Sequence, residues 1–223
     1  MQGMMMQRPL LISDILNFAA EAFPQAEIVS VRTEGDIHRQ SYAETAKRVA
    51  QLAHALRAQG VQRGDRIATL AWNGYRHFEL YYAISGFGAV CHTINPRLSA
   101  EQLVYIVSHA EDRMIFVDTS FVPLLEAVRD QLPDNITYVV MCDASQMPGT
   151  ALNALCYEDL LTDLPRHFNW PEFDENTASG LCYTSGTTGH PKGALYSHRA
   201  MVLHALLVST SMNGCLPEGK SVL

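Results

Sequence analysis

Residues 183–193, Tyr-Thr-Ser-Gly-Thr-Thr-Gly-His-Pro-Lys-Gly, crowd three glycines, four aliphatic hydroxyls and a lysine into one short stretch. Such a set suits an anion. Glycine lets the backbone come close to a ligand, and successive N–H groups form a concave nest for negative charge. Thr184, Ser185, Thr187 and Thr188 add hydroxyl donors, Lys192 adds a cation, and Pro191 fixes the approach to that lysine. A chain of phosphates is the ligand these groups fit best. The same composition also describes a solvated Gly/Ser/Thr hairpin loop, and by themselves these residues leave both readings open.

The spacing excludes two familiar phosphate motifs. A Walker A loop requires G-x-x-x-x-G-K-[ST] and opens into a helix whose N-terminus holds the phosphates. Here Gly186 and Gly189 are too close, Pro191 precedes Lys192, and Gly193 stands where a hydroxyl residue belongs. The residues after Lys192 read as a strand. No G-x-G-x-x-G follows a strand, so a dinucleotide fingerprint is absent as well.

The elements that must hold the loop alternate along the chain. Residues 26–31 and 37–42 read as a hairpin around Gly35-Asp36. Tyr42, Ala46, Val49, Leu52 and Leu56 lie on one helical face that Gly60 ends. Strands are expected at 65–72, 88–95, 113–118 and 136–143, and helices at 76–86, after the cap residue Ser99, and at 120–132. This rhythm predicts an α/β fold with a parallel-rich sheet flanked by helices. Residues 143–176, with Pro148, Pro165 and Pro171, read as mostly irregular. Residues 177–185 and 193–199 read as the strands on either side of the loop, with a helix from Arg199 to about Ser211.

Composition narrows the partners. With 16 basic and 23 acidic residues the net charge is −7, and no extended basic run offers a surface for nucleic acid or an anionic membrane. No stretch approaches the roughly 18 apolar residues of a membrane span. The N-terminal segment lacks a signal-peptide core, because Asp14 interrupts it. Five widely spaced cysteines without metal spacing predict reduced thiols and a cytoplasmic protein. His92, His198 and His204 have no second ligand at helical spacing and read as packing residues. Tyr81 and Tyr82 read as core or interface.

Residues 183–193 resemble the phosphate-binding signature of the adenylate-forming (AMP-binding) enzymes, which include acyl-CoA synthetases, luciferases and peptide-synthetase adenylation domains. The resemblance runs the length of the chain. Residues 41–73 are similar to the family's first helix and its Gly-Asp-Arg-[Ile/Val]-Ala strand. Residues 76–98 together with 182–199 look most like bacterial medium- and long-chain fatty-acid–CoA ligases, and ligases for 3-methylmercaptopropionate share much of the wording.

The resemblance implies an AMP-forming acid–thiol ligase that uses ATP, Mg²⁺ and CoA to activate a fatty acid or another small carboxylate; the alternative is a non-catalytic domain of the same fold that binds nucleotide or a partner protein. Ser185, Gly186, Thr187, Thr188 and Gly189 would hold the β- and γ-phosphates, Lys192 would offset their charge, and Thr184 would help hold Mg²⁺. Residues 1–223 would form the N-terminal portion of the large AMP-binding domain, with the phosphate loop at 184–192. The family's adenine, ribose and Mg²⁺-carboxylate elements and its main catalytic lysine have no counterpart here. The chain alone is therefore expected to be inactive, to hold only the phosphate side of ATP, and to self-associate, with a homodimer as one form.

Overall fold

The computed structural model describes residues 3–5, 7–184 and 190–211. The expectations for Ser185, Gly186, Thr187, Thr188 and Gly189 lie outside the described residues. A seven-stranded sheet forms the centre, in the order β7-β6-β5-β3-β4-β8-β9. Its strands are β3 (Arg66–Leu70), β4 (Val90–Thr93), β5 (Asp112–Val117), β6 (Thr137–Val140), β7 (Leu155–Cys156), β8 (Ala178–Thr184) and β9 (Lys192–Ser197). All neighbours run parallel except β8 and β9, which are antiparallel. The expected hairpin stands apart as β1 (Glu27–Val31) paired with β2 (Ile37–Ser41).

Both faces of β3, β4, β5 and β6 are covered, which is why these strands read as apolar runs and not as alternating ones, whereas β9 at the edge is largely exposed. On β5, Met114 and Phe116 point into one core with Leu52, Leu56, Leu80 and Ile84. Ile115 and Val117 point into the other with Leu103, Ile106, Val107 and Leu125. The first core lies under α1 (Ile12–Ala22), α2 (Tyr42–Ala58), α3 (Tyr75–Phe87) and α6 (Tyr157–Leu161). The second lies under α4 (Ala100–Ala110) and α5 (Val122–Val128). Helix α7 (His198–Ser211) follows β9, and the Ser197 hydroxyl accepts from the Ala200 N–H at its start.

Local chemistry sets the helix ends. The Ser41 hydroxyl accepts the Glu44 N–H at the start of α2. Ser99 and Gln102 form a reciprocal capping box on α4. Gly88, at φ +96°, takes the left-handed position that ends α3.

Two expectations need correction. Residues 120–132 are not one helix: α5 covers only Val122–Val128, between 3-10 turns at 119–121 and 129–131. Pro123, which has no N–H to donate, suits only the first turn of an α-helix and so fixes where α5 begins. Residues 143–176 are largely irregular as expected, yet they contain β7 and α6. Their last part packs closely, since a Cβ at Gly86 would stand 2.8 Å from the Trp170 ring.

Among the described residues, no helix is long and apolar enough to cross a membrane, and the four described cysteines are free thiols.

Candidate phosphate site

The loop joins the ends of two hydrogen-bonded strands. Thr184, the last residue of β8, stands opposite Lys192, the first of β9, and one step further in Tyr183 stands opposite Gly193. The Thr184 hydroxyl donates to the Lys192 carbonyl at 3.4 Å. Gly193 is closely packed. A Cβ there would meet Leu181 Cδ1 at 3.1 Å and Tyr183 Cζ at 3.3 Å. Because β8 runs parallel to β4, the loop leaves at the carboxyl edge of the parallel strands, where open α/β sheets bind their ligands.

Lys192 is exposed, and among the described residues no carboxylate lies within ion-pair distance of it. Thr184 is exposed as well, while Pro191 between them is buried. An ammonium without an intramolecular counter-ion, held by paired backbone at one mouth of a glycine-rich loop, is suited to an outside anion. Polyphosphate fits this donor set. For Mg²⁺, Thr184 offers one hydroxyl oxygen, and the described residues contain no cluster of three or more acidic, histidine or cysteine side chains. An ion here would take most of its oxygens from phosphate and water, as Mg²⁺ commonly does.

The sheet also has a switch point, because β4 lies on one side of β3 and β5 on the other. The cleft there is lined by Arg32, Trp72, Gly74, Arg76 and Asp118. Its cations are already engaged. Arg32 binds Asp36 and Asp143, and Arg76 binds Glu34, Asp143 and Glu158. The buried Asp118 carboxylate accepts the Trp72 N–H at 2.7 Å, and burial pushes its pKa up to about 6. This cleft belongs to the scaffold.

The histidines divide in the same way. His92 Nδ1 lies 2.8 Å from an Asp112 carboxylate oxygen, with both side chains fully buried. His198 is buried, accepts the Ile12 N–H at Nδ1, and is pushed down to about 4 by burial. Tyr82 packs on the first core, whereas Tyr81 stacks on His77 and stays partly exposed. One cluster escaped the sequence reading. His190, at the end of the loop, stacks on Tyr105 of α4, which in turn stacks on His109. The available signal was Tyr105 and His109 at i, i+4 on one helix.

Residues 16–222 match the family model described as AMP-binding enzyme, and the chain belongs to that family. It is 52% identical over 215 residues to a 3-methylmercaptopropionyl-CoA ligase of Ruegeria lacuscaerulensis, an overlap covering 94% of this chain and 39% of the relative. It is 46% identical over 211 residues to a medium-chain-fatty-acid–CoA ligase of Ectopseudomonas oleovorans, covering 92% and 38%. The crystal structure of the anthranilate CoA ligase AuaEII with anthranoyl-AMP superposes with a TM-score of 0.76 at 25% identity, over 89% of this chain and 37% of that one. The chain thus spans about two-fifths of the length of the curated relatives it matches.

Proposed function

We propose that this chain forms the phosphate-binding part of an AMP-forming acid–CoA ligase. The observation that carries the proposal is the pairing of Thr184 with Lys192 across β8 and β9, with Lys192 lacking a carboxylate partner among the described residues. In the first step a carboxylate oxygen attacks the α-phosphorus of ATP. An acyl–O–P bond forms, the bond to the β-phosphate's bridging oxygen breaks, and pyrophosphate leaves. In the second step the CoA sulfur attacks the acyl carbon and AMP departs with its oxygen.

The work of this chain falls in the first step. Ser185, Gly186, Thr187, Thr188 and Gly189 would donate to the β- and γ-phosphates, and Lys192 would neutralise charge that builds up on the leaving pyrophosphate. Positioning and charge stabilisation supply most of what such a displacement needs from a protein. Thr184 would lend a hydroxyl to Mg²⁺, which when bound screens phosphate charge. Free thiols suit a cytoplasmic setting.

A medium- or long-chain fatty acid is the proposed substrate. The 52% identity to a 3-methylmercaptopropionyl-CoA ligase favours 3-methylmercaptopropionate as the second reading. Formation of CoA thioester by the full-length protein, assayed across acids of graded chain length and 3-methylmercaptopropionate, separates the two. Turnover rising with chain length supports the first, and a sharp preference for the short thioether acid supports the second. A protein that forms no thioester with any of them contradicts the ligase proposal.

A further inference from the structure

The leg of the loop that returns to the sheet is seated on α4. His190 stacks on the Tyr105 ring with centroids 4.5 Å apart and an interplanar angle of 17°. Tyr105 stacks in turn on His109 at 5.3 Å and 25°. His109 Nδ1 lies 2.6 Å from the Tyr183 hydroxyl, which ties this column back to β8, the strand that enters the loop. The Tyr183 ring also lies 5.2 Å from buried His92, whose Nδ1 is held by Asp112. The residues on either side of the loop thus meet one aromatic column that reaches buried His92. Pro191 is buried between the stacked His190 and the exposed Lys192, so the position of His190 is passed to Lys192 through a residue with fixed φ.

We propose that Tyr105 and His190 are positioning residues for the ATP phosphates. Their stack fixes the returning leg of the loop and so holds the Lys192 ammonium where the phosphates arrive. Neither ring touches the reacting atoms, and the inference rests on the ligase reading above. Ordering a side chain or backbone segment on binding costs conformational entropy, and a seat that already fixes His190 and Pro191 reduces what Lys192 must lose when ATP binds. Removing the seat should therefore weaken ATP binding more than it slows chemistry. Aromatic pairing of this kind accounts for about a three- to tenfold change in an equilibrium constant.

The test measures acid-dependent ATP–pyrophosphate exchange by the full-length protein, with KM for ATP separated from kcat. Tyr105→Ala and His190→Ala should each raise KM for ATP about three- to tenfold, with kcat changed less. Tyr105→Phe, which keeps the ring, should restore the wild-type value. The double variant should be little worse than either single one, because each change removes the same contact. His190 is exposed, so His190→Ala carries the test even where Tyr105→Ala fails to fold. An unchanged KM in His190→Ala, or Tyr105→Phe as impaired as Tyr105→Ala, overturns the proposal. Absence of exchange in the wild-type protein counts against the ligase reading instead, so the two failures are told apart.

Discussion

Two charged regions of this molecule contrast sharply. Under the hairpin, Glu79 is fully buried and accepts from Arg48, Gln40 and Tyr157, the last at 2.7 Å. Arg48 and Arg76 both continue to Glu158, and Arg76 reaches Glu34 and Asp143 as well. Every ion there has several partners from distant elements. At the ends of β8 and β9, Lys192 has none among the described carboxylates, and its surroundings are glycine, hydroxyl and solvent. A saturated network stores its hydrogen-bonding capacity in the fold. A cation without an internal partner keeps it for a ligand. Charge alone therefore does not mark the site, whereas charge without an internal partner does.

The largest expected effect comes from breaking the saturated side. Glu79→Gln leaves the Arg48 guanidinium without its buried carboxylate and sets an amide against other donors. Removing one member of a buried pair costs about 3–5 kcal/mol. Urea unfolding should show a loss of that size, with any effect on exchange following only from loss of folded protein. A stability change under about 1 kcal/mol would mean that this network does little to hold the fold together.

Lys192→Ala should do the opposite, leaving the unfolding midpoint in place while slowing exchange. Losing a charge-assisted contact to phosphate costs about 1.5–3 kcal/mol, or roughly ten- to a hundredfold at subsaturating ATP. An equal loss in both assays would erase the distinction between the two regions.

Asp118 sharpens the comparison from the scaffold side. Its pKa is raised by burial from 3.8 to about 6, so the folded chain holds this proton more tightly than the unfolded one. That contribution to stability is complete below about pH 4 and is lost as pH rises through about 6. Asp118→Asn removes the titration. Relative to wild type, the variant should gain on the order of 2 kcal/mol between pH 4 and pH 7.5 in urea unfolding. A parallel pH profile for the two proteins would contradict the assignment.

The smallest effect belongs to the helix that carries Tyr105. Ser99→Ala removes the hydroxyl half of the capping box on α4 and should cost about 1 kcal/mol of stability. A slight rise in KM for ATP is expected with it, since α4 seats His190.

Much of this was legible in the sequence because it depends on local rules. Continuous apolar runs such as 113–118 announced strands buried on both faces, Gly35-Asp36 announced the hairpin, and Ser99 announced its helix. The split of residues 120–132 was missed because apolar spacing continues through Pro123, while that proline lies in the first turn of an α-helix that begins at Val122 and gives way to 3-10 turns at both ends. Strand β7, of two residues, is too short to show any period. Two strands around one loop were readable, but the facing of Thr184 and Lys192 was not, because the second strand reads from Gly193 and in fact begins at Lys192. Nor was the Glu79 network, since its members lie 31, 39 and 78 residues apart and only folding brings them together. The seat of His190 on Tyr105 was hidden for the same reason.

Acid-dependent exchange of labelled pyrophosphate into ATP by the full-length protein isolates the half-reaction in which Lys192 would act on the leaving phosphates. Label should enter ATP only when a carboxylic acid substrate is present, at a rate at least about tenfold lower in Lys192→Ala at subsaturating ATP. Exchange that proceeds equally well without acid, or that is unaffected by Lys192→Ala, would contradict this reading.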